Sequence, residues 1–124
     1  MFGKDFGLNQ LPGFMKTAGF MENMTGPTGK PFNYSDAGGG GGLHPAMFWL
    51  ANKVNDPSLL WVERSYLKTR KPEALVLDRL FPAIMLWSGG ISIDNISAPT
   101  ETMWLGNGKN PVAMMRTSWT DPNA

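Results

Sequence analysis

The sequence predicts a mainly helical chain that closes with a short antiparallel β element. Three observations carry this. Apolar residues recur at helical spacing, or nearly all the way round, in successive segments between positions 11 and 87. Pro45 and the Asp56-Pro57 pair sit where helices begin. Beyond Ser88-Gly89-Gly90 the pattern changes to the alternation of strands separated by glycine-rich turn chemistry.

Each element has its own justification. Segment 11–24, LPGFMKTAGFMENM, sets Leu11, Phe14, Met15, Ala18 and Met21 at helical spacing, with Pro12 near the first turn, where its missing N–H costs nothing. The following TGPTGKP ends that helix, because Gly26-Pro27 and Lys30-Pro31 bias the backbone away from the α region. Pro45 suits a first helical position, and AMFWLANKV after it has the composition of a helix buried among other helices. Asp56 can cap the next helix, Pro57 fits its first position, and Leu59, Val62 and Tyr66 form a stripe with Leu60 and Leu67 that places Tyr66 in the core. The corner between these two helices is very short, which makes them antiparallel neighbours, as in stacked helical hairpins.

The last helical segment, 73–87, carries Leu75, Leu77, Leu80, Phe81 and Ile84, and Pro82 should kink or split it, with the break one residue before. Segment 98–105 then reads as a strand, GNGKN as a hairpin turn and PVAMMRTSW as a second strand. Thr120-Asp121-Pro122-Asn123 spells another turn after which no strand returns, so a truncated chain with an unpaired strand edge is expected.

Composition narrows the function classes. The 124 residues suit one modest domain, and a 42% hydrophobic content with five Trp and seven Phe is too apolar for intrinsic disorder. Lys and Arg outnumber Asp and Glu by only 11 to 10, with no basic run beyond the cluster 68–71, so the electrostatic footprint of a nucleic-acid binder is missing. Cysteine is absent, which removes disulfides, thiolate metal sites and cysteine nucleophiles. No stretch approaches the ~20 apolar residues of a membrane span. GPTGKP lacks the spacing of a phosphate loop and the Ser or Thr after Lys30, and no His pair suggests zinc.

The runs FGLNQLPGFMKTAGFMENMTGPTGKPFNYSDAG, HPAMFWLANKVNDP and MMRTSWTDPNA resemble the heparinase II/III-like family of polysaccharide lyases, including alginate lyase-like members, in the right order over most of the chain. The resemblance implies a partial α/α toroid of helical hairpins over 1–90, followed over 91–124 by the start of a β-sandwich. It implies a bacterial parent, periplasmic or secreted, that cleaves uronic-acid polysaccharides by β-elimination. A base takes the proton beside the carboxylate, whose charge is neutralised, and an acid protonates the leaving oxygen. The family's tyrosine-rich toroid segment and its histidine-bearing strands fall outside this sequence, so the chain alone is expected to be inactive. No cofactor is expected, although the rest of the sandwich could bring a metal. The competing class is a non-catalytic carbohydrate-binding or structural helical module.

Candidate site residues cluster around YSDAGGGGGLHP, which follows Asn33. Asn33, Tyr34 and Asp36 are candidates for binding an acidic polysaccharide, and Tyr34 and His44 for proton transfer. The structural alternative has Asn33 and Asp36 satisfying loop N–H groups and His44 serving as a helix-start residue. Five glycines are costly to order, at about 1 kcal/mol or more each, so the loop is expected to be mobile and to span a cleft rim. Arg64, Lys68 and Arg70 could bind an acidic polysaccharide, but their spacing suits a helix C-terminus; Arg116 either points into the interface between the two parts or is an exposed edge charge.

Overall fold

The computed structural model describes residues 4–32, 38 and 42–123, with only the backbone of Val76. The described residues form five short α-helices followed by one antiparallel hairpin. The helices are α1 (Thr17–Asn23), α2 (Pro45–Val54), α3 (Trp61–Thr69), α4 (Pro72–Val76) and α5 (Phe81–Trp87). The strands are β1 (Met103–Gly106) and β2 (Val112–Met115).

Helix α2 is the centre of the packing. Its Met47, Phe48, Leu50 and Ala51 are buried with Ala18 of α1, Leu60, Ile84 of α5 and Ile96 in one core. The near-continuous apolar character of α2 is explained by its neighbours, since α1, α5 and the 3₁₀ turn Pro57–Leu60 all pack against it. The helix starts with Pro45 at its first turn and stops at Asn55, which takes the left-handed conformation (φ 55°) and donates its N–H to the Asn52 carbonyl. At the next residue, the Asp56 carboxylate accepts the Ser58 N–H at 3.0 Å and the Ser58 hydroxyl at 2.6 Å, so the expected cap is made. The capped turn is 3₁₀ before it relaxes into α3.

Two helical expectations need correction. The first helix is not continuous over 11–24: Gly13 adopts φ 82°, breaking the segment into a 3₁₀ turn Phe14–Lys16 that leads into α1. The last segment does split, but earlier than expected. Residues 77–80 form the break, the Asp78 carboxylate accepting the Leu80 N–H at 2.9 Å, and Pro82 lies in the first turn of α5, where its missing N–H is harmless.

The strands are also shorter than 98–105 and 111–119. Met103 pairs with Met115 and Gly106 with Val112. One face of the hairpin, with Trp104 and Met114, is half-buried, whereas Met103, Leu105 and Met115 on the other are exposed. Trp104 meets Phe20 of α1 edge-on at 5.9 Å, and Gly19 is the residue beneath its indole nitrogen. The hairpin is thus seated on α1.

Candidate functional site

A cleft of about 330 Å³ opens between the turn 25–31, the start of α2, α3 and Trp119. One wall is the turn after α1. Thr25 bridges Pro31, the Gly26 N–H donates to the Lys30 carbonyl at 3.0 Å, and the Phe32 N–H donates to the Met24 carbonyl at 2.6 Å. The opposite wall is the face of α3 that repeats at helical spacing through Trp61, Val62, Ser65, Tyr66 and Thr69. Gly42 and His44 line the rim.

Asn33, Tyr34 and Asp36 lie outside the described residues, as do residues 39–41 of the glycine run. His44 is the residue preceding α2, extended at φ −109° and ψ 96°, with no side-chain cap bond. It is exposed and faces the cleft. Pro31 and Gly42, on either side of segment 33–41, both line the same cleft.

The core position expected of Tyr66 is corrected. Tyr66 is half-buried in the cleft wall, where the Arg70 guanidinium lies 4.4 Å from its ring centre and donates to its hydroxyl. One helical turn separates the two residues, which is why the contact forms. Trp61 likewise lines the cleft while packing against the core, with Arg64 5.0 Å from its ring centre. Trp49 packs against the core and meets Phe14 edge-on at 6.1 Å. Arg64 and Lys68 are not free cations: the first donates to the Ile93 carbonyl at 3.2 Å and the second pairs with Asp94 at 3.0 Å.

Arg116 is not an edge charge. Its guanidinium donates to the carbonyls of Thr25 at 2.9 Å and Asn23 at 2.8 Å and lies 3.5 Å from the centre of the Trp119 ring. Trp119 is buried at the cleft and donates its indole N–H to the Glu101 carbonyl at 2.7 Å.

Two buried acids behind these walls escaped the sequence reasoning. Glu22 of α1 is 6% exposed and Glu63 of α3 is 2% exposed, and Glu22 Oε1 and Glu63 Oε2 have no hydrogen-bond partner. Burial pushes the Glu22 carboxyl up to about 8, reinforced by Asp56 and Glu63 and opposed by Arg116. Burial likewise pushes Glu63 up to about 7, against the pull of its own N–H and that of His44. The available signal was positional. Glu63 lies three residues after Leu60 and four before Leu67, on the apolar stripe itself, and Glu22 lies four after Ala18.

Among the described residues, no group of three or more His, Asp or Glu side chains gathers as metal ligands, and no helix is long and apolar enough to cross a membrane. No family model matches the chain, and no curated protein matches it.

Proposed function

We propose that the chain supplies one side of a saccharide-binding cleft in a protein like the heparinase II/III-like polysaccharide lyases, whose substrates are uronic-acid polymers. The observation that carries this is the cleft itself, in which His44, Tyr66, Trp61 and Trp119 come together. Aromatic faces and edges suit sugar rings, whose C–H surfaces are apolar while their hydroxyls seek donors and acceptors at the rim. Arg70, held on Tyr66, brings a positive charge beside that wall for an acidic chain.

In the same proposal the helices belong to an α/α toroid and the hairpin begins a β-sandwich, a reading supported by the mainly helical body and its hairpin. Asn33, Tyr34 and Asp36 would bind the uronate, their segment being flanked by Pro31 and Gly42 at the rim. Elimination needs a base, a carboxylate neutraliser and an acid; here His44 and Tyr34 are the candidates for proton transfer, and the rest of the set would come from elsewhere in the parent. Binding without turnover is therefore expected of this chain alone.

One observation favours a non-catalytic sugar-binding module instead. The described lining residues include no Lys or Arg, and the nearby Arg70 is engaged on Tyr66, so no cation of the lining itself is dedicated to a substrate carboxylate. Titration with uronate oligosaccharides and with neutral ones of the same length, followed by amide chemical shifts, separates the two. Uronate-selective shifts at His44 and α3 support the lyase-like reading. Equal response to neutral chains supports the module, and no shift with either ends both. Unsaturated product from this chain alone, seen by ultraviolet absorbance, would contradict the expectation of binding without turnover.

A further inference from the structure

Behind the cleft, two buried polar atoms of opposite chemistry are left over. Arg116 uses its two terminal nitrogens on Thr25 and Asn23, but its Nε has no acceptor. Glu22, one residue before Asn23, has an Oε1 with no donor. A buried unpaired donor and a buried unpaired acceptor each carry a desolvation cost, and the two groups are close enough to influence each other's charge. A protonated Glu22 gives Arg116 no charge to turn toward, which leaves the guanidinium on the carbonyls and over Trp119.

We propose that Glu22 and Arg116 form a proton-gated latch on the cleft: when Glu22 loses its proton, its carboxylate takes the Arg116 Nε–H, and the guanidinium shifts off the Thr25 carbonyl and across the face of Trp119. Thr25 and Trp119 both line the cleft, so the latch changes its shape at two lining residues together. The reaction is a plain ionisation, the proton leaving to solvent and an ion pair forming in its place.

The groups that face Glu22 set the direction. Asp56, ahead of α3, and Glu63, on α3, oppose its ionisation, and Arg116, after β2, favours it. Glu63 is itself acted on by the N–H groups of His44 and Glu63. The latch therefore stays neutral around physiological acidity and engages as pH rises toward about 8. The inference concerns the shape of the cleft and does not depend on which ligand occupies it.

The test is a pH titration of the full chain from about pH 5 to 9, following the Trp119 indole N–H and the Thr25 and Gly26 amides by NMR in a His44→Gln background, which removes the one imidazole from the chain. Coincident shifts of the three probes in the alkaline half of the range are expected, with loss of those shifts in Glu22→Gln and persistence in Asp56→Asn at a lower midpoint. Probes that stay flat in the parent, or that titrate unchanged in Glu22→Gln, overturn the latch. Because Gln mimics the neutral acid, Glu22→Gln should fold; direct observation of the Glu22 carboxyl carbon in the parent gives a second readout, and its ionisation without movement of the three probes also overturns the proposal.

Discussion

Arg116 reaches back 93 residues to Asn23, donating to its backbone carbonyl at 2.8 Å and to its side-chain oxygen at 3.1 Å. Asn23 is itself held, its amide donating to the Gly19 carbonyl at 2.9 Å. The C-terminal end of α1, the hairpin and the cleft turn therefore meet at one guanidinium. That explains how two four-residue strands, too small to be stable alone, keep a defined place on the helices.

Replacing Arg116 with Ala removes three charge-assisted bonds and leaves the carbonyls of Asn23 and Thr25 unpaired. A loss of roughly 2–4 kcal/mol is expected, measured by urea denaturation. Arg116→Lys should recover only part of it, because an ammonium cannot reproduce the planar fork or the stacking on Trp119.

Stability should fall as pH rises. The Glu22 and Glu63 carboxyls lie at about 8 and about 7 in the folded chain, against an ordinary 4.5. Between those values the folded state holds protons that the unfolded state has released. Their contribution is fully present below 4.5, declines as pH rises above it, and is lost once pH passes about 8. Thermal unfolding between about pH 5 and 9 should show a falling melting temperature, with a flatter profile in Glu22→Gln and Glu63→Gln. A rising profile would refute the assignment.

Asp56→Ala should cost about 1 kcal/mol, since the Ser58 N–H and hydroxyl both lose their acceptor at the start of the turn into α3. Asp56→Asn should retain most of the cap. Comparing the two by chemical denaturation isolates capping from the relief of repulsion on Glu22.

Gly89→Ala should cost more than Gly90→Ala. Both glycines have positive φ, 60° and 83°, but only at Gly89 would a Cβ collide with a neighbour, the carboxamide of Asn52. About 1 kcal/mol is expected for Gly90→Ala from the backbone, and roughly 1–3 kcal/mol beyond it for Gly89→Ala. Equal losses would mean that Asn52 moves aside freely.

Local chemistry was legible wherever it acts over a few residues. The Asp56 cap, the Pro45 helix start, the split ahead of Pro82 and the hairpin about GNGKN all follow from neighbours in sequence. The failures share a cause. The 11–24 segment has helical spacing throughout, yet Gly13 takes a left-handed conformation that the spacing does not reveal. Tyr66 sits on an apolar stripe, but the stripe is wider than the core it meets, so its edge forms a cleft wall.

From the sequence alone came a mainly helical body, a closing hairpin, the shortness of the corner before Asp56 and the exclusion of cysteine chemistry, because periodicity, turn residues and composition act locally or globally without reference to distant partners. Only the tertiary structure decided that His44 and Tyr66 face one cleft, that Arg116 closes on Asn23 and Thr25, and that Glu22 and Glu63 are buried, with Glu63 close enough to raise the proton affinity of Glu22. Those relationships join residues tens of positions apart, and the desolvation that gives them their energies exists only once the helices have packed.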